Sequence, residues 1–145
     1  MPQRPVSEVI RDKTFVSVTA KTTVREIAHL MKSHHTSAIL VVDRAHHLLG
    51  ICTERDLAVR VLAADLPPER TEVTAVMTRD PITIRPDMPF GHALHRMYEG
   101  GFRHVPVVDD IGRPVGLLSA RDALDLDALQ LEADLIRREE ITVIL

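Results

Sequence analysis

The sequence repeats one pattern at an offset of 66 residues, and this duplication constrains the fold more than any other feature. Residues 16–57 align with residues 82–123 without a gap, and GICTERD at 50–56 aligns with GLLSARD at 116–122. Two copies without a third argue against an open solenoid, which needs more repeats to bury its faces. The duplication therefore predicts two similar units packed face to face about a pseudo-two-fold axis, with any cleft between them present twice.

The composition indicates one compact domain, or two small interlocked ones, with an aliphatic core. The 145 residues are 45% hydrophobic but only 3% aromatic, and there is no Trp. The net charge of −3 gives no reason to expect nucleic acid as a partner. No apolar run approaches the roughly 20 residues that a membrane helix needs, so we expect no membrane partner.

Two features favour a cytoplasmic location. The first residues, MPQRP, lack the apolar segment of a signal peptide. The single cysteine, Cys52, excludes an internal disulfide framework and fits a reducing compartment.

Each repeat has the pattern of a strand, a helix, two strands and a second helix. Thr23 and Glu26 have the spacing of a capping box, which places the start of the first helix at Val24. Apolar runs and alternation predict strands at 15–18, 38–42, 48–52, 81–84, 105–108 and 115–118. The same reasoning predicts helices from 24, at 54–64, at 89–99, and from 120 to about 132 or beyond.

These elements divide the chain into four segments. They are the first repeat with an N-terminal arm at 1–66, a linker at 67–73, the second repeat at 74–132, and a C-terminal tail at 133–145. Pro67 and Pro68 cannot continue the preceding helix, which supports the linker. The tail ends in ITVIL, an apolar and β-branched run that we expect to dock on a neighbouring subunit.

The duplicated motif TERD at 53–56 and SARD at 119–122 follows a strand and opens a helix in each repeat. One interpretation is structural, because a Ser or Thr with an acid three residues later forms a capping box. Both copies also keep a Gly three residues before the hydroxyl and an Arg before the Asp, which capping does not require. The other interpretation is a ribonucleotide site, with the acid on the ribose diol and the hydroxyl and helix amides near phosphate.

The chain resembles a tandem pair of CBS domains, the cystathionine-β-synthase-type repeats that form a Bateman module. The resemblance extends from about residue 6 to about residue 131, and its marks are SAILVVD at 37–43, HVPVVD at 104–109 and the two Gly-x-x-Ser/Thr-x-x-Asp runs. It implies an α/β fold in which two β-α-β-β-α repeats pack about a pseudo-two-fold axis and form two clefts. Relatives often bind AMP, ADP, ATP, NAD or S-adenosylmethionine there, although many have no known ligand.

The resemblance also implies which residues form each cleft, largely by combining the two repeats. The cleft of Asp122 would contain Thr19, Ala20, Ser37, Ala38, Ile39, Ser119, Arg121 and Asp122. The cleft of Asp56 would contain Thr53, Arg55, Asp56, Arg85, Arg103, His104 and Val105. In this pattern the Asp holds the ribose, and the Ser or Thr lies near phosphate. His104 could touch phosphate or be merely solvated, and a surface ion pair is the favoured role for Arg55 and Arg121.

Other site chemistries have weaker support. The eight histidines include His92 and His95 at helical spacing, but no Cys or acidic partner stands at matching spacing, so we expect no metal site. Cys52 is expected to pack in a core, because a catalytic thiol would need an activating base and exposure. No Walker loop, nucleophile elbow or paired-carboxylate constellation appears, so we expect no catalytic residues and no cofactor.

The leading hypothesis is therefore a stand-alone regulatory module, not an enzyme, that senses an adenosyl ligand. The sequence contains no attached enzyme or transporter domain, so the module is expected to signal in trans to an unknown protein partner. It is also expected to form a homodimer. The alternative is an interaction or stress-related protein of the same family with ligand-free, structural clefts.

Overall fold

The computed structural model describes residues 3–144, with side chains for residues 3–139. The first half contains α1 (Val6–Val9), β1 (Ser17–Thr19), α2 (Val24–His34), β2 (Ala38–Val42), β3 (Leu48–Thr53) and α3 (Glu54–Asp56), which continues as a π-helical segment (Leu57–Leu62). A 3-10 turn (Val73–Ala75) and β4 (Thr78–Arg79) follow. The second half contains α4 (Phe90–Gly100), β5 (His104–Val108), β6 (Pro114–Ser119) and α5 (Arg121–Ile144).

The structure confirms the duplication in the bounds of the elements and in the irregularities of the strand pairs. The α2, β2 and β3 elements reappear as α4, β5 and β6 at the offset of 66 residues. Each antiparallel pair has a register shift at the same place, between Val41 and Val42 and between Val107 and Val108. The first helix of each repeat ends on a left-handed residue, His35 in one and Gly101 in the other. The predicted capping box at the start of α2 is present.

The sheets of the two repeats differ at one edge. In the first repeat β1 pairs in parallel with β2, and the Leu40 N–H donates to the Val16 carbonyl at 3.0 Å. The position equivalent to Leu40 in the second repeat is Pro106, which has no N–H to donate. The predicted strand at 81–84 is therefore reduced to a single bridge between Ile84 and Val107.

Each repeat has its own apolar core, and a segment from outside its predicted bounds completes it. Val6 of α1 is fully buried in the cluster that contains Ile84 and Phe90 of the second repeat. Val73 is fully buried in the cluster of Ile27 and other residues of the first repeat. Main-chain bonds fix both segments, since the Val6 N–H donates to the Met88 carbonyl at 2.8 Å and the Val73 N–H to the Thr22 carbonyl at 2.8 Å. The two repeats are thus interlocked, because each core contains residues from the segment that leads into the other repeat.

Gly50 and Gly116 allow these segments to lie close against the sheets. A Cβ atom on Gly50 would come within 2.6 Å of the Met77 sulfur, and one on Gly116 within 2.7 Å of Ile10 Cδ1. Packing thus explains the glycine that both motifs keep three residues before the hydroxyl. That glycine no longer favours a ligand site over a cap.

The two repeats meet through a third, smaller cluster. Ala38, Leu40 and Ile51 are buried there, and Leu117 of the second repeat packs against them. Ile39 and Val41, at the alternate positions of β2, lie in the core of the first repeat. The strand β2 is therefore buried on both faces, as its continuous apolar run predicted.

The C-terminal segment is longer and more regular than expected. The helix α5 runs to Ile144, so most of the segment assigned to a tail at 133–145 is helical. The expected docking of residues 141–145 lies outside the residues whose side chains are described. Among residues 3–144 no helix has both the length and the apolar composition needed to cross a bilayer.

We expect the N-terminal arm to contribute to global stability. Replacing Val6 with Ala should lower the free energy of unfolding by about 2 kcal/mol, because it removes buried methyl groups and leaves a cavity in the second core. Urea denaturation measures this change. The control is Ile111→Ala, at a position 56% exposed in the turn between β5 and β6, which should change it by less than about 0.5 kcal/mol. Equal effects of the two substitutions would contradict the interlocked arrangement.

Candidate functional site

The two motif carboxylates occupy equivalent positions at strand-to-helix junctions. Asp56 and Asp122 are only 8% and 7% exposed, although both are charged residue types. Each turns one oxygen back to the main chain, where Oδ2 accepts from the Thr53 N–H at 2.9 Å and from the Ser119 N–H at 2.8 Å. At Asp56 the bond is reciprocal, because the Asp56 N–H donates to Thr53 Oγ1 at 3.3 Å. The capping interpretation is therefore correct for the first motif, and the second repeats the carboxylate half of it.

The start of the middle strand in each repeat lies beside the same junction. The Glu54 N–H donates to the Ser37 carbonyl at 3.0 Å, and the Ala120 N–H donates to the Arg103 carbonyl at 2.9 Å. Main-chain bonds thus put Ser37 next to the helix of Asp56, and Arg103 next to the helix of Asp122. The sequence analysis assigned Ser37 to the cleft of Asp122 and Arg103 to the cleft of Asp56.

One side-chain contact joins the two predicted residue sets. Ser37 Oγ lies 2.9 Å from His104 Nε2, across the interface between the repeats. His104 is also the register partner of Ser119 on β6. One residue of each predicted set therefore meets the other at the interface between the repeats, and the division of the sets between two clefts stays a prediction.

The carboxylate of Asp122 has a partner that the sequence analysis missed. Lys13 Nζ donates to both oxygens of Asp122, each at 2.6 Å, and also to the Leu117 carbonyl at 3.2 Å. Lys13 lies between α1 and β1, 109 residues from Asp122 in sequence. No local motif spacing could have revealed this pair, because only the return of the N-terminal arm to the second repeat brings it together.

The carboxylate of Asp56 has a different environment. Its Oδ2 accepts from the Thr53 hydroxyl at 3.2 Å as well as from the main chain. Its Oδ1 lies 3.6 Å from Arg60 Nε, which is beyond a hydrogen bond. The two sites thus share their main-chain hydrogen bonds but differ in the charged side chain that reaches the carboxylate.

The remaining sequence-predicted residues fall into two groups. The side chains of Ala38, Ile39 and Val105 are fully buried in apolar clusters, so these residues offer a ligand only their main-chain atoms. The exposed or half-buried ones are Thr19, Ala20, Arg55, Arg85, Arg103 and Arg121. Of these, Arg85 forms ion pairs with Asp87 and Asp110 on the surface.

The environment of His104 favours the neutral imidazole. Burial lowers the pKa of His104 below its usual 6.5, and the positive charge of Lys13 lowers it further, against the opposing charge of Asp122. The ring therefore offers hydrogen bonds rather than a fixed positive charge near neutral pH. This limits its value as a phosphate contact.

Cys52 and the histidines show no sign of reaction or metal chemistry in the described part of the chain. Cys52 is fully buried in the first core, as expected, and burial raises the pKa of its thiol to about 12. A thiol in that state is not a nucleophile at neutral pH. Among the residues with described side chains, no three His, Cys, Asp or Glu residues are grouped as metal ligands.

An open groove of about 840 Å³ lies elsewhere, along the exposed side of α2. Its lining includes Val18, Arg25, His29 and Glu69, and none of the sequence-predicted site residues. The Arg25–Glu69 ion pair at its edge is exposed to solvent. The groove is not the candidate site, because it contains neither of the buried carboxylates, which lie at the strand-to-helix junctions.

The family follows from a comparison with known protein families. The CBS domain model matches residues 6–63 and again residues 73–128. The chain belongs to the CBS domain family. It is a CBS domain pair, which confirms the resemblance and the α/β fold with two repeats.

The matches with CBS relatives cover most of this chain but a smaller part of each relative's length. An uncharacterized protein of Methanopyrus kandleri is 31% identical over 122 residues, which cover 84% of this chain and 62% of that protein. The chain spans only 20% of the length of each of two longer CBS domain-containing proteins of Arabidopsis thaliana.

Two solved CBS structures contain nucleosides or nucleotides. The CBS domain pair of protein MJ0100, in complex with 5′-methylthioadenosine and S-adenosyl-L-methionine, superposes with a TM-score of 0.80 at 28% identity. The match covers 89% of this chain and 99% of that one. A CBS domain protein from Pyrobaculum aerophilum complexed with AMP has a TM-score of 0.76 at 27% identity, covering 82% of this chain and 89% of that one.

We expect the half-buried His104 to destabilise this CBS pair at mildly acidic pH. Because its folded-state pKa lies below 6.5, the unfolded chain binds the proton first as the pH falls. Stability should therefore decrease as the pH falls below about 6.5, until the folded-state pKa is passed. His104→Gln should flatten this part of the profile of unfolding free energy against pH, measured by urea denaturation between pH 5 and pH 7.5. The exposed His92→Gln is the matched control, and a parent profile that stays level over this range would contradict the prediction.

Proposed function

We propose that this CBS pair is a regulatory module that binds an adenosyl ligand in clefts between its repeats and signals to a protein partner. The observation on which this depends is the duplicated buried carboxylate at the end of β3 and of β6. Asp56 and Asp122 lie where a ribose diol could donate to a carboxylate beside a helix N-terminus. The solved relatives that contain AMP, 5′-methylthioadenosine and S-adenosyl-L-methionine support the same ligand class.

The interlocked core supports a regulatory rather than a passive role. A ligand that binds between the repeats would contact Ser37, His104 and the strand-to-helix junctions that carry the carboxylates. A ligand shifts a conformational equilibrium only by its difference in affinity for the two states. A site made from both repeats meets this condition, since any change in their packing changes the site.

A second function has a specific observation in its favour. Both carboxylates already accept main-chain bonds, and Asp122 is also paired with Lys13. A CBS pair whose clefts are purely structural, and which acts by binding a protein, would need these contacts and no ligand. The two functions differ in their response to small molecules.

Under the leading proposal, an adenosyl ligand should raise the melting temperature. A panel of adenosine, AMP, ADP, ATP, NAD, 5′-methylthioadenosine and S-adenosylmethionine is tested by thermal shift at millimolar concentration. A ligand at about 100 times its Kd adds about 2.7 kcal/mol of stability, which corresponds to a shift of several degrees.

The assignment of the carboxylate is tested in the same assay. Asp56→Asn keeps the size of the side chain and one acceptor oxygen for the cap, but it cannot accept from both ribose hydroxyls. It should weaken binding at that cleft about tenfold or more, whereas Asp65→Asn, at an exposed position after the π-helical segment, should not. No shift with any compound would favour the ligand-free function.

We also propose that the module is a homodimer. Exposed apolar side chains lie on the second helical element of both repeats, among them Val59, Leu62, Leu124, Leu131 and Leu135. Exposed apolar side chains of this number on the two equivalent helical elements favour a partner surface.

The dimer is tested by light scattering on a size-exclusion column at micromolar concentration. The expected mass is twice the 16.2 kDa of the chain. Leu62→Glu should shift the parent toward the monomer, because it places charge in the proposed interface. A parent that elutes as a monomer of one chain mass would contradict the proposal.

A further inference from the structure

We propose that Lys13 is a specificity-determining residue that makes the two CBS clefts unequal, by occupying the carboxylate of Asp122 in the ligand-free protein. This inference rests on the proposed function, because it concerns the same two clefts. It adds that an uncharged nucleoside binds first at Asp56, and that Lys13 must leave Asp122 before the second cleft takes a ribose.

The geometry at Asp122 leaves little room for a second set of donors. A carboxylate offers about four acceptor positions. Ser119 N–H uses one of them, and Lys13 Nζ contacts both oxygens at 2.6 Å. A ribose diol needs two acceptor positions, so it competes directly with the ammonium group.

The charge and burial of the pair favour Lys13 in this competition. The side chain of Asp122 is 8% exposed and that of Lys13 is 35% exposed, so the contact is shielded from bulk water on the carboxylate side. A charge-assisted bond is stronger than one from a neutral hydroxyl. The Leu117 carbonyl gives the ammonium a further acceptor that a ribose would not need.

The equivalent position at Asp56 is open to the same diol. The Oδ1 atom has Arg60 Nε at 3.6 Å, beyond a hydrogen bond, and the Arg60 guanidinium instead donates to the Val76 carbonyl at 3.0 Å. The Arg60 guanidinium is thus held by a main-chain carbonyl, and it makes no hydrogen bond to Asp56 Oδ1. The difference between the clefts is therefore greatest in the charged side chain, since the two carboxylates share the same main-chain contact.

The place of Lys13 in the chain links this competition to the rest of the fold. Its main chain follows α1, which is packed in the second core, and precedes β1, which pairs in the first sheet. The Lys13 N–H is fixed to the Ile10 carbonyl at 3.1 Å. Displacing the side chain from Asp122 removes an interaction between the N-terminal arm and the second repeat.

The test uses adenosine as the probe, because it has the diol but no phosphate that Lys13 could attract. Isothermal titration calorimetry compares Lys13→Ala in two backgrounds. In Asp56→Asn, where the Asp122 cleft remains, Lys13→Ala should raise the affinity for adenosine about tenfold. In Asp122→Asn, where the Asp56 cleft remains, it should change the affinity by less than about twofold.

Three controls separate competition from other effects. Lys13→Arg keeps a charged donor and should keep the low affinity of the Asp122 cleft. Lys32→Ala removes the same charge from the exposed end of α2 and should change neither cleft. The gain from Lys13→Ala should be smaller for 2′-deoxyadenosine, which lacks one of the two competing hydroxyls. A thermal melt of each variant shows that it is folded.

The outcomes distinguish this inference from the proposed function. If the Asp122→Asn protein binds adenosine but Lys13→Ala leaves the Asp122 cleft unchanged or weaker, Lys13 is not a competitor, and the proposed function stands. An equal gain in both backgrounds also overturns the inference, because the effect would not be local to Asp122. If no variant binds adenosine, the inference fails together with the proposed nucleoside site.

Discussion

The fold depends on the exchange of leading segments between the two repeats. Val6 completes the core of the second repeat, and Val73 completes the core of the first. The core of each repeat is therefore complete only with residues from the segment that precedes the other repeat. This exchange stabilises both repeats, because a unit of about 60 residues alone buries too little apolar area to be more than marginally stable. Gly50 and Gly116 are the positions at which the exchanged segments come closest to the sheets.

The same packing determines where the candidate site lies. The strands β3 and β6 end at the interface, and each leads directly into a helix that begins with a buried carboxylate. The carboxylate serves the fold by accepting the main-chain N–H of the residue three positions before it. Capping and ligand binding are therefore not exclusive uses of this group, because a cap engages one oxygen and leaves the other. What differs between Asp56 and Asp122 is the cation that approaches that second oxygen.

Local signals in the sequence were sufficient for most of the secondary structure. The capping box at Thr23, the apolar run at 38–42 and the hydroxyl-to-Asp spacing each involve residues within a few positions of one another, and all are found in the structure. The prediction of a strand at 81–84 was wrong for a reason that appears only in the pairing of strands. Its predicted partner strand contains Pro106, and a missing N–H matters only once two strands are placed side by side.

The sequence by itself determined the duplication, the α/β class, the family and the two carboxylates at the candidate site, because each depends on short-range pattern or on comparison of one half with the other. The tertiary structure decided which partners those carboxylates have. Lys13 reaches Asp122 across 109 residues, and Ser37 reaches His104 across 67. The physical reason is that side-chain pairing between distant segments depends on how the cores pack, and the packing here exchanges the arm and the linker between repeats. Two motifs that are nearly identical in sequence thus acquire different electrostatic environments.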